Sequence, residues 1–296
     1  MGDLKLFKIK NGVEELVGTS VAIEKSLQTL IENNMETFFG IKFLASEYPT
    51  GKNHGGRIDS LGIDENYCPV ILEYKRALNE NVINQGLFYL DWLMDHKAEF
   101  KLLVMEKLGK DIADKIEWSM PRLLCIAGDF TKFDEYAVKQ INRNIELIRY
   151  KKYEDDLILF ELVNATTASQ TSIDDGTTKS NVYKTVTENL QQADKELQDM
   201  YYSIRDFILS LGDDIQEKVL KYYIAFKKIR NFACVEIYPK SKTILMYLNI
   251  NPDEVELEEG FTRDVRNIGH FGTGNLEIRI NSKDDFEKAK ELITKS

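Results

Sequence analysis

Asp59, Glu73 and Lys75 are the residues whose types and spacing point to chemistry. Asp59 lies within Gly56-Arg57-Ile58-Asp59-Ser60-Leu61-Gly62, and Glu73 and Lys75 close the apolar run Val70-Ile71-Leu72-Glu73-Tyr74-Lys75. On a strand, Glu73 and Lys75 are two residues apart and share a face. If the two segments pair, one aspartate, one glutamate and one lysine converge. Two acids among Ile, Leu and Val are costly unless positive charge neutralises them, and a hard divalent cation with oxygen ligands does so. A lysine beside them would orient a water or stabilise negative charge developing on a phosphate. The chemistry such a set could do is divalent-cation binding with a lysine placed to act on a bound water or phosphate; the plainer alternative is an ion pair on an edge strand.

The elements that must hold these residues are legible around them. Apolar residues at Ile23, Leu27, Leu30, Ile31, Met35 and Phe38 recur every three or four positions and predict one amphipathic helix over Ala22–Phe39. Ile41–Tyr48 and Arg57–Ile63 read as a β-hairpin across PTGKNHGG, with Gly55-Gly56 supplying the positive φ of a reversal. Cys68–Tyr74 is a short apolar run suited to a central strand, and 79–104 is helix-like. Arg122–Ala127 predicts another buried strand, followed by a helix over Asp134–Ile145 and a strand over Leu157–Val163. This alternation predicts an α/β domain with a mixed sheet.

Asp59 followed by Glu73-x-Lys75 resembles the D…(D/E)XK core of the PD-(D/E)XK nuclease superfamily. Ile58 stands where the family name has proline, a position that is commonly degenerate there. Gln85-Gly86-Leu87-Phe88-Tyr89 resembles the QxxxY element of the RecB-like and lambda-exonuclease-like branch. The resemblance spans residues 20–165 and implies a restriction-endonuclease-like mixed sheet flanked by helices. It further implies Asp59 and Glu73 as ligands of Mg²⁺ or Mn²⁺, joined by the Tyr74 carbonyl and by Glu36 of the preceding helix, with Glu32 as the other candidate. Lys75 would position the attacking water, and Gln85 would touch the nucleic acid or the lysine. Arg57, Arg76 and Tyr89 would contact the nucleic acid, and Glu47 would be a further acidic neighbour. The resemblance implies metal-dependent phosphodiester hydrolysis with DNA as the substrate, in defence or repair, and a homodimer would let both strands be cut.

Composition sets the surroundings. The chain has 296 residues, 43% hydrophobic and 30% charged, enough for one or two cores, and no apolar stretch of membrane-spanning length. With no apolar leader, a cytoplasmic location is expected. A net charge of −10 offers no general attraction to nucleic acid, so such a function must rest on local cations or on bound metal. Lys52, Arg57, Arg76, Arg143, Arg149, Lys151 and Lys152 are candidates for phosphate contacts. Cys68, Cys125 and Cys234 lie far apart, without histidine at metal-ligand spacing, and read as buried thiols.

The polar stretch 166–181 predicts a linker between a nuclease-like domain, 1–165, and a smaller α+β domain, 182–296. In the latter, Val182–Leu211 and Asp213–Ile229 predict a helical hairpin. Cys234–Pro239 and Thr243–Ile250 predict a β-hairpin, Leu276–Ile280 a strand, and Asp284–Thr294 a helix capped by Ser282 or Asp284. Gly269-His270-Phe271-Gly272-Thr273-Gly274-Asn275 matches no phosphate-binding fingerprint and reads as a tight loop. This second segment resembles a small domain that accompanies nuclease-like modules and has been labelled a transport protein; a recognition or interaction role is the expectation. The rival to the enzyme is a non-catalytic nucleic-acid-binding or protein-interaction protein on the same fold.

Overall fold

The computed structural model describes residues 5–10, 12–19, 24–75, 82–154, 156–166, 184–212 and 214–296. Backbone packing divides the chain into two units, Met1–Thr171 and Ser172–Ser296. Most of the expected linker, and Arg76, lie outside the described residues.

The first unit opens with a two-stranded ribbon, β1 (Leu6–Lys8) and β2 (Glu14–Leu16), and a short β3 (Gly18–Thr19). Then follow α1 (Glu24–Asn33), α2 (Met35–Phe39), β4 (Ile41–Pro49), α3 (Gly51–His54), β5 (Arg57–Asp64) and β6 (Pro69–Lys75). Three helices, α4 (Val82–Asp95), α5 (Lys97–Leu108) and α6 (Lys110–Ala113), lead to β7 (Arg122–Ala127). The unit closes with α7 (Lys132–Val138), β8 (Asn144–Tyr153) and β9 (Leu157–Ala165). Six strands run in the order β9-β8-β7-β6-β5-β4, and β3 joins β8 as the seventh. The β6/β7 and β7/β8 pairs are parallel and the rest antiparallel, so the mixed sheet of the α/β expectation is present. β6, up to Tyr74, and β7 are buried along both faces, as their apolar stretches Val70–Leu72 and Leu123–Ala127 require.

α4 packs on one face through Ile71, Leu123 and Cys125. That approach needs Gly86, because a Cβ there would stand 2.4 Å from Leu123 Cδ1. α1 meets the other face, where Ser60 and Tyr74 point. The expected single helix over Ala22–Phe39 is two, α1 and α2, interrupted at Asn34, whose amide donates back to the Leu30 carbonyl at 2.9 Å. Asparagine competes in this way for helical backbone groups. α7 is shorter than expected: the capping box of Thr131 and Asp134 starts it, and Ile145 belongs to β8. β8 was hidden from pattern reading by the charged run RYKKY, although its first five residues are fully buried.

The second unit comprises α8 (Val186–Gln192), α9 (Lys195–Ser210), β10 (Gln216–Val219), β11 (Ile224–Lys227), β12 (Asn231–Tyr238), β13 (Thr243–Leu248), β14 (Thr262–Asp264), β15 (Leu276–Ile280) and α10 (Lys283–Lys295). Its antiparallel sheet has the order β10-β11-β12-β13-β15-β14. Tyr201, Ile204 and Ile208 of α9 and Phe286, Ala289 and Ile293 of α10 share one core with Phe226, Val235, Met246 and Ile278. The helix expected over Asp213–Ile229 is instead the β10/β11 hairpin. Val219, Tyr222, Tyr223, Ile224 and Phe226 favour a pleated surface, and β12 offers β11 a partner. Lys218 and Lys227, which a helix would have solvated, are buried in that sheet. The 269–275 loop folds onto β12 and β13, with His270 stacked on Tyr247 at 4.1 Å and the Phe271 N–H donating to Glu236 at 3.0 Å. Among the described residues, no helix is long and apolar enough to cross a membrane.

Candidate active site

β5 and β6 run antiparallel, and their backbone pairing stops at Ser60–Leu72. Beyond that point the side chains take over. The Asp59 N–H donates to Glu73 Oε1 at 3.1 Å, and the Tyr74 N–H donates to Asp59 Oδ2 at 3.0 Å. Each carboxylate thereby occupies a place where a ladder carbonyl would be, which fixes both acids against a splayed pair of strands.

Glu73 is fully buried, and its Oε2 has no hydrogen-bond partner. Burial, and then the charge of Asp59, push the Glu73 carboxyl up to about 9. Burial also raises Asp59, tempered by the Tyr74 N–H and by the charge of Lys75. Two acids held this close, in a site this dry, do not both ionise without a cation. Half-buried Lys75 lowers both but does not cancel the penalty.

Glu47 stands on β4 opposite Asp59, between the Ser46–Ser60 and Tyr48–Ile58 pairs. Its φ of 51° lies in the left-handed region, a conformation that costs a non-glycine residue about 1 kcal/mol or more. That backbone turns its carboxylate to Lys25 at 3.1 Å and Arg57 at 3.3 Å, which hold the Glu47 carboxyl below the usual range, hydrogen bonding to Lys25 foremost. Its charge nonetheless adds to the field that raises Asp59.

Behind β5 lies a polar network that pattern reading missed. Gln28 of α1, buried, donates to Glu32 Oε1 at 2.8 Å and to the Asp59 carbonyl at 2.8 Å. Glu32 also accepts from Ser60 Oγ at 2.6 Å, and Ser60 Oγ accepts from the Tyr74 hydroxyl at 3.1 Å. The available signal was the Gln28/Glu32 spacing of four on a helix beside the Leu27/Ile31 stripe.

The structure thus brings Asp59, Glu73 and Lys75 together, with Glu47 beside them. Glu36 is exposed on α2, and the carboxylate of this helical region that reaches β5 is Glu32. Gln85 donates to the Tyr89 hydroxyl at 3.3 Å, and that hydroxyl also accepts the Arg57 N–H at 3.2 Å. Tyr89 is buried in the core, where it holds the start of β5. The Arg57 side chain is exposed and paired with Glu47. Among the described residues, no three His, Cys, Asp or Glu side chains gather as a metal cage.

Comparison with known proteins adds the following. Residues 186–296 match the family model described as "Domain of unknown function (DUF5655)". Over 301 residues the chain is 30% identical to an uncharacterised protein of Haemophilus influenzae, covering 98% of each sequence. The crystal structure of a repair endonuclease from Pyrococcus abyssi aligns at 18% identity and a TM-score of 0.30, over 49% of this chain and 60% of that one. The structure of an EndoMS–dsDNA complex aligns at 23% identity and a TM-score of 0.25, over 46% and 47%. The chain spans less than two thirds of either structure.

Proposed function

Since the chain belongs to one family with the Haemophilus influenzae protein along nearly its whole length, we propose that this family's N-terminal unit is a divalent-cation-dependent hydrolase of phosphodiester bonds, with DNA as its substrate. The observation that carries the reading is the pair of half-buried Asp59 and buried Glu73, cross-bonded to the backbone, with one Glu73 carboxylate oxygen left unmatched beside Lys75. DNA is preferred on the resemblance of Asp59, Glu73-x-Lys75 and Gln85/Tyr89 to the nuclease core.

The donor set fits Mg²⁺ or Mn²⁺. Such ions take one or two protein carboxylates and fill the rest of the shell with water and substrate phosphate oxygens, whereas zinc favours Cys and His and calcium takes six to eight oxygens. Asp59 and Glu73 would hold the ion, with the Tyr74 carbonyl as a further oxygen. A bound ion would polarise the phosphate and lower the pKa of a coordinated water. In this reading the scissile phosphate would sit beside Asp59 and Glu73. Lys75, on the same strand face as Glu73, would orient the attacking water and stabilise charge on the phosphate oxygens. The Gln28–Glu32–Ser60–Tyr74 network keeps β5 and β6 in register behind the acids.

The test is cleavage of circular and linear DNA, single- and double-stranded, by the full chain in Mg²⁺, Mn²⁺ or EDTA. D59N, E73Q and K75A run alongside. Metal-dependent cleavage that falls on the order of a hundredfold or more in each variant is expected. Cleavage equal in wild type and variants, or absent with every metal and DNA, overturns the reading and leaves a binding protein.

A further inference from the structure

α7 follows directly from β7, whose last residue, Ala127, lies in register with Lys75. Its first turn therefore begins at the same end of the sheet as the candidate site. The field there is shared: burial, then the charges of Glu73 and of Asp134 in that first turn, raise the Cys125 thiol.

The outer surface of α7 is unlike the rest of an acidic chain. Phe133 is 74% exposed and Tyr136 66%, and the i, i+3 spacing puts both on one helix face. Lys132 Nζ stands 5.4 Å from the centre of the Phe133 ring and Lys139 Nζ 5.2 Å from that of Tyr136. From residue 131 to 143 the exposed side chains are Lys132, Phe133, Tyr136, Ala137, Lys139, Gln140, Asn142 and Arg143; the two acids, Asp134 and Glu135, are half-buried. Asp134 is turned back onto Thr131 to cap the helix. Two exposed rings, each with a lysine ammonium beside it and no fully exposed acid between them, form a face unlike the rest of a chain of net charge −10.

We propose that this face of α7 is a stacking platform for single-stranded nucleic acid, with bases on Phe133 and Tyr136 and phosphates on Lys132 and Lys139. Aromatic faces with adjacent cations are the elements of strand binding without sequence preference. Residues at i and i+3 stand about 5–6 Å apart between Cβ atoms, more than the ~3.4 Å rise of stacked bases in a duplex. The two rings therefore suit successive bases pulled out of the stack, and a duplex keeps its base faces covered. The platform deepens the hydrolase reading and rests on it for one point, that the strand held there is the substrate; binding itself does not depend on cleavage.

The experiment is fluorescence anisotropy of a labelled oligothymidylate and of a labelled duplex with the full chain in EDTA. F133A, Y136A, the double variant and K132Q/K139Q are compared with wild type, and light scattering records oligomeric state. Because the rings are exposed, melting temperatures should stay at the wild-type value. Each ring deletion is expected to weaken single-strand binding about 5- to 150-fold while leaving duplex binding nearly unchanged. K132Q/K139Q should weaken both and flatten the salt dependence. Single-strand binding that is absent in wild type, or equal in wild type and ring variants, overturns the platform. So does an aromatic variant that only converts a dimer to a monomer, which would make the patch a self-association surface. Ring-dependent binding without any metal-dependent cleavage would sink the hydrolase and keep the platform; cleavage with ring-independent binding would do the reverse.

Discussion

The carboxylate of Glu73 accepts the backbone N–H of Asp59 at 3.1 Å, and the carboxylate of Asp59 accepts the N–H next to Glu73, that of Tyr74, at 3.0 Å. The two acids are thus locked to each other's strands rather than free to turn away. Their mutual repulsion is built into the fold, and only a proton or a cation relieves it. The arrangement lowers the stability of the fold, and its consequences can be measured without assuming a function.

The first consequence is a pH dependence of unusual sign. Folding pushes the Glu73 carboxyl up to about 9, against 4.5 for an ordinary glutamate in water. Between those values the folded chain holds more protons than the unfolded one, so stability falls as pH rises, by at most about 1.4 kcal/mol per pH unit. Below the unfolded value the term is flat. Asp59 is raised too and contributes with the same sign. In EDTA, the melting temperature of the first unit is expected to fall between about pH 5 and about pH 9. E73Q should flatten this fall and melt above wild type at the alkaline end. Superimposable pH profiles for the two proteins would show that Glu73 is not held protonated.

The second consequence concerns the cation. Ligands bind metal deprotonated, so uptake of Mg²⁺ or Mn²⁺ must release the proton that the pair retains. Affinity is expected to rise with pH through the neutral range, and calorimetric heats should depend on the ionisation enthalpy of the buffer. E73Q, with no proton to release and one fewer charge, should lose both the buffer dependence and the metal-induced rise in melting temperature. Undiminished stabilisation of E73Q by metal would place the ion elsewhere.

Arg122 poses a separate question of stability. Its guanidinium is buried between Asp64 at 2.8 Å and Glu146, which it grips with two bonds at 2.9 Å. Burial alone would lower it, but the charges of Glu146 and Asp64 outweigh that and raise it, so it stays charged. Replacing Arg122 by Met leaves two buried carboxylates without their cation, and a loss of about 3–5 kcal/mol is expected in urea unfolding of the first unit. Removing all three charges together, R122M with D64N and E146Q, should recover a large part of that loss. A triple variant no better than R122M would assign the triad a packing role instead.

How much was legible beforehand follows from which physical signals are local. Asp59, Glu73 and Lys75 stood out because acids inside apolar runs break the pattern around them, and the mixed sheet followed from Cys68–Tyr74 and Arg122–Ala127. The β10/β11 hairpin was misread as a helix because Val219, Leu220, Tyr223 and Ile224 satisfy helical spacing, and only pairing with β12 decides the matter. Whether Glu36 or Glu32 meets β5 was not legible for a related reason. The interruption at Asn34 separates the two residues into different helices, and which of them faces β5 depends on Ser60, 28 positions away from Glu32. The exposed rings of Phe133 and Tyr136 were invisible as such, since sequence does not distinguish an exposed aromatic from a core one.

The last prediction tests how the start of β5 is held. Tyr89 accepts the Arg57 N–H at 3.2 Å, two residues before Asp59, and its ring lies against Gly56. A Cβ at Gly56 would stand 2.6 Å from Tyr89 Cε1 and 2.7 Å from its hydroxyl oxygen, closer than side chains approach. Gly56→Ala must therefore displace either the ring or the strand, and a cost of about 1–3 kcal/mol is expected. Y89F keeps the ring and removes only the acceptor, so about 1 kcal/mol should be lost. In Y89A the space is open, and adding Gly56→Ala should cost little more than Y89A alone. Full additivity in the G56A/Y89A cycle would mean that contact with Tyr89 is not what makes residue 56 glycine. If the cycle couples as expected, DNA cleavage should fall in G56A even where folding is complete, since a shift at Gly56 passes through Arg57 and Ile58 to the carboxylate of Asp59.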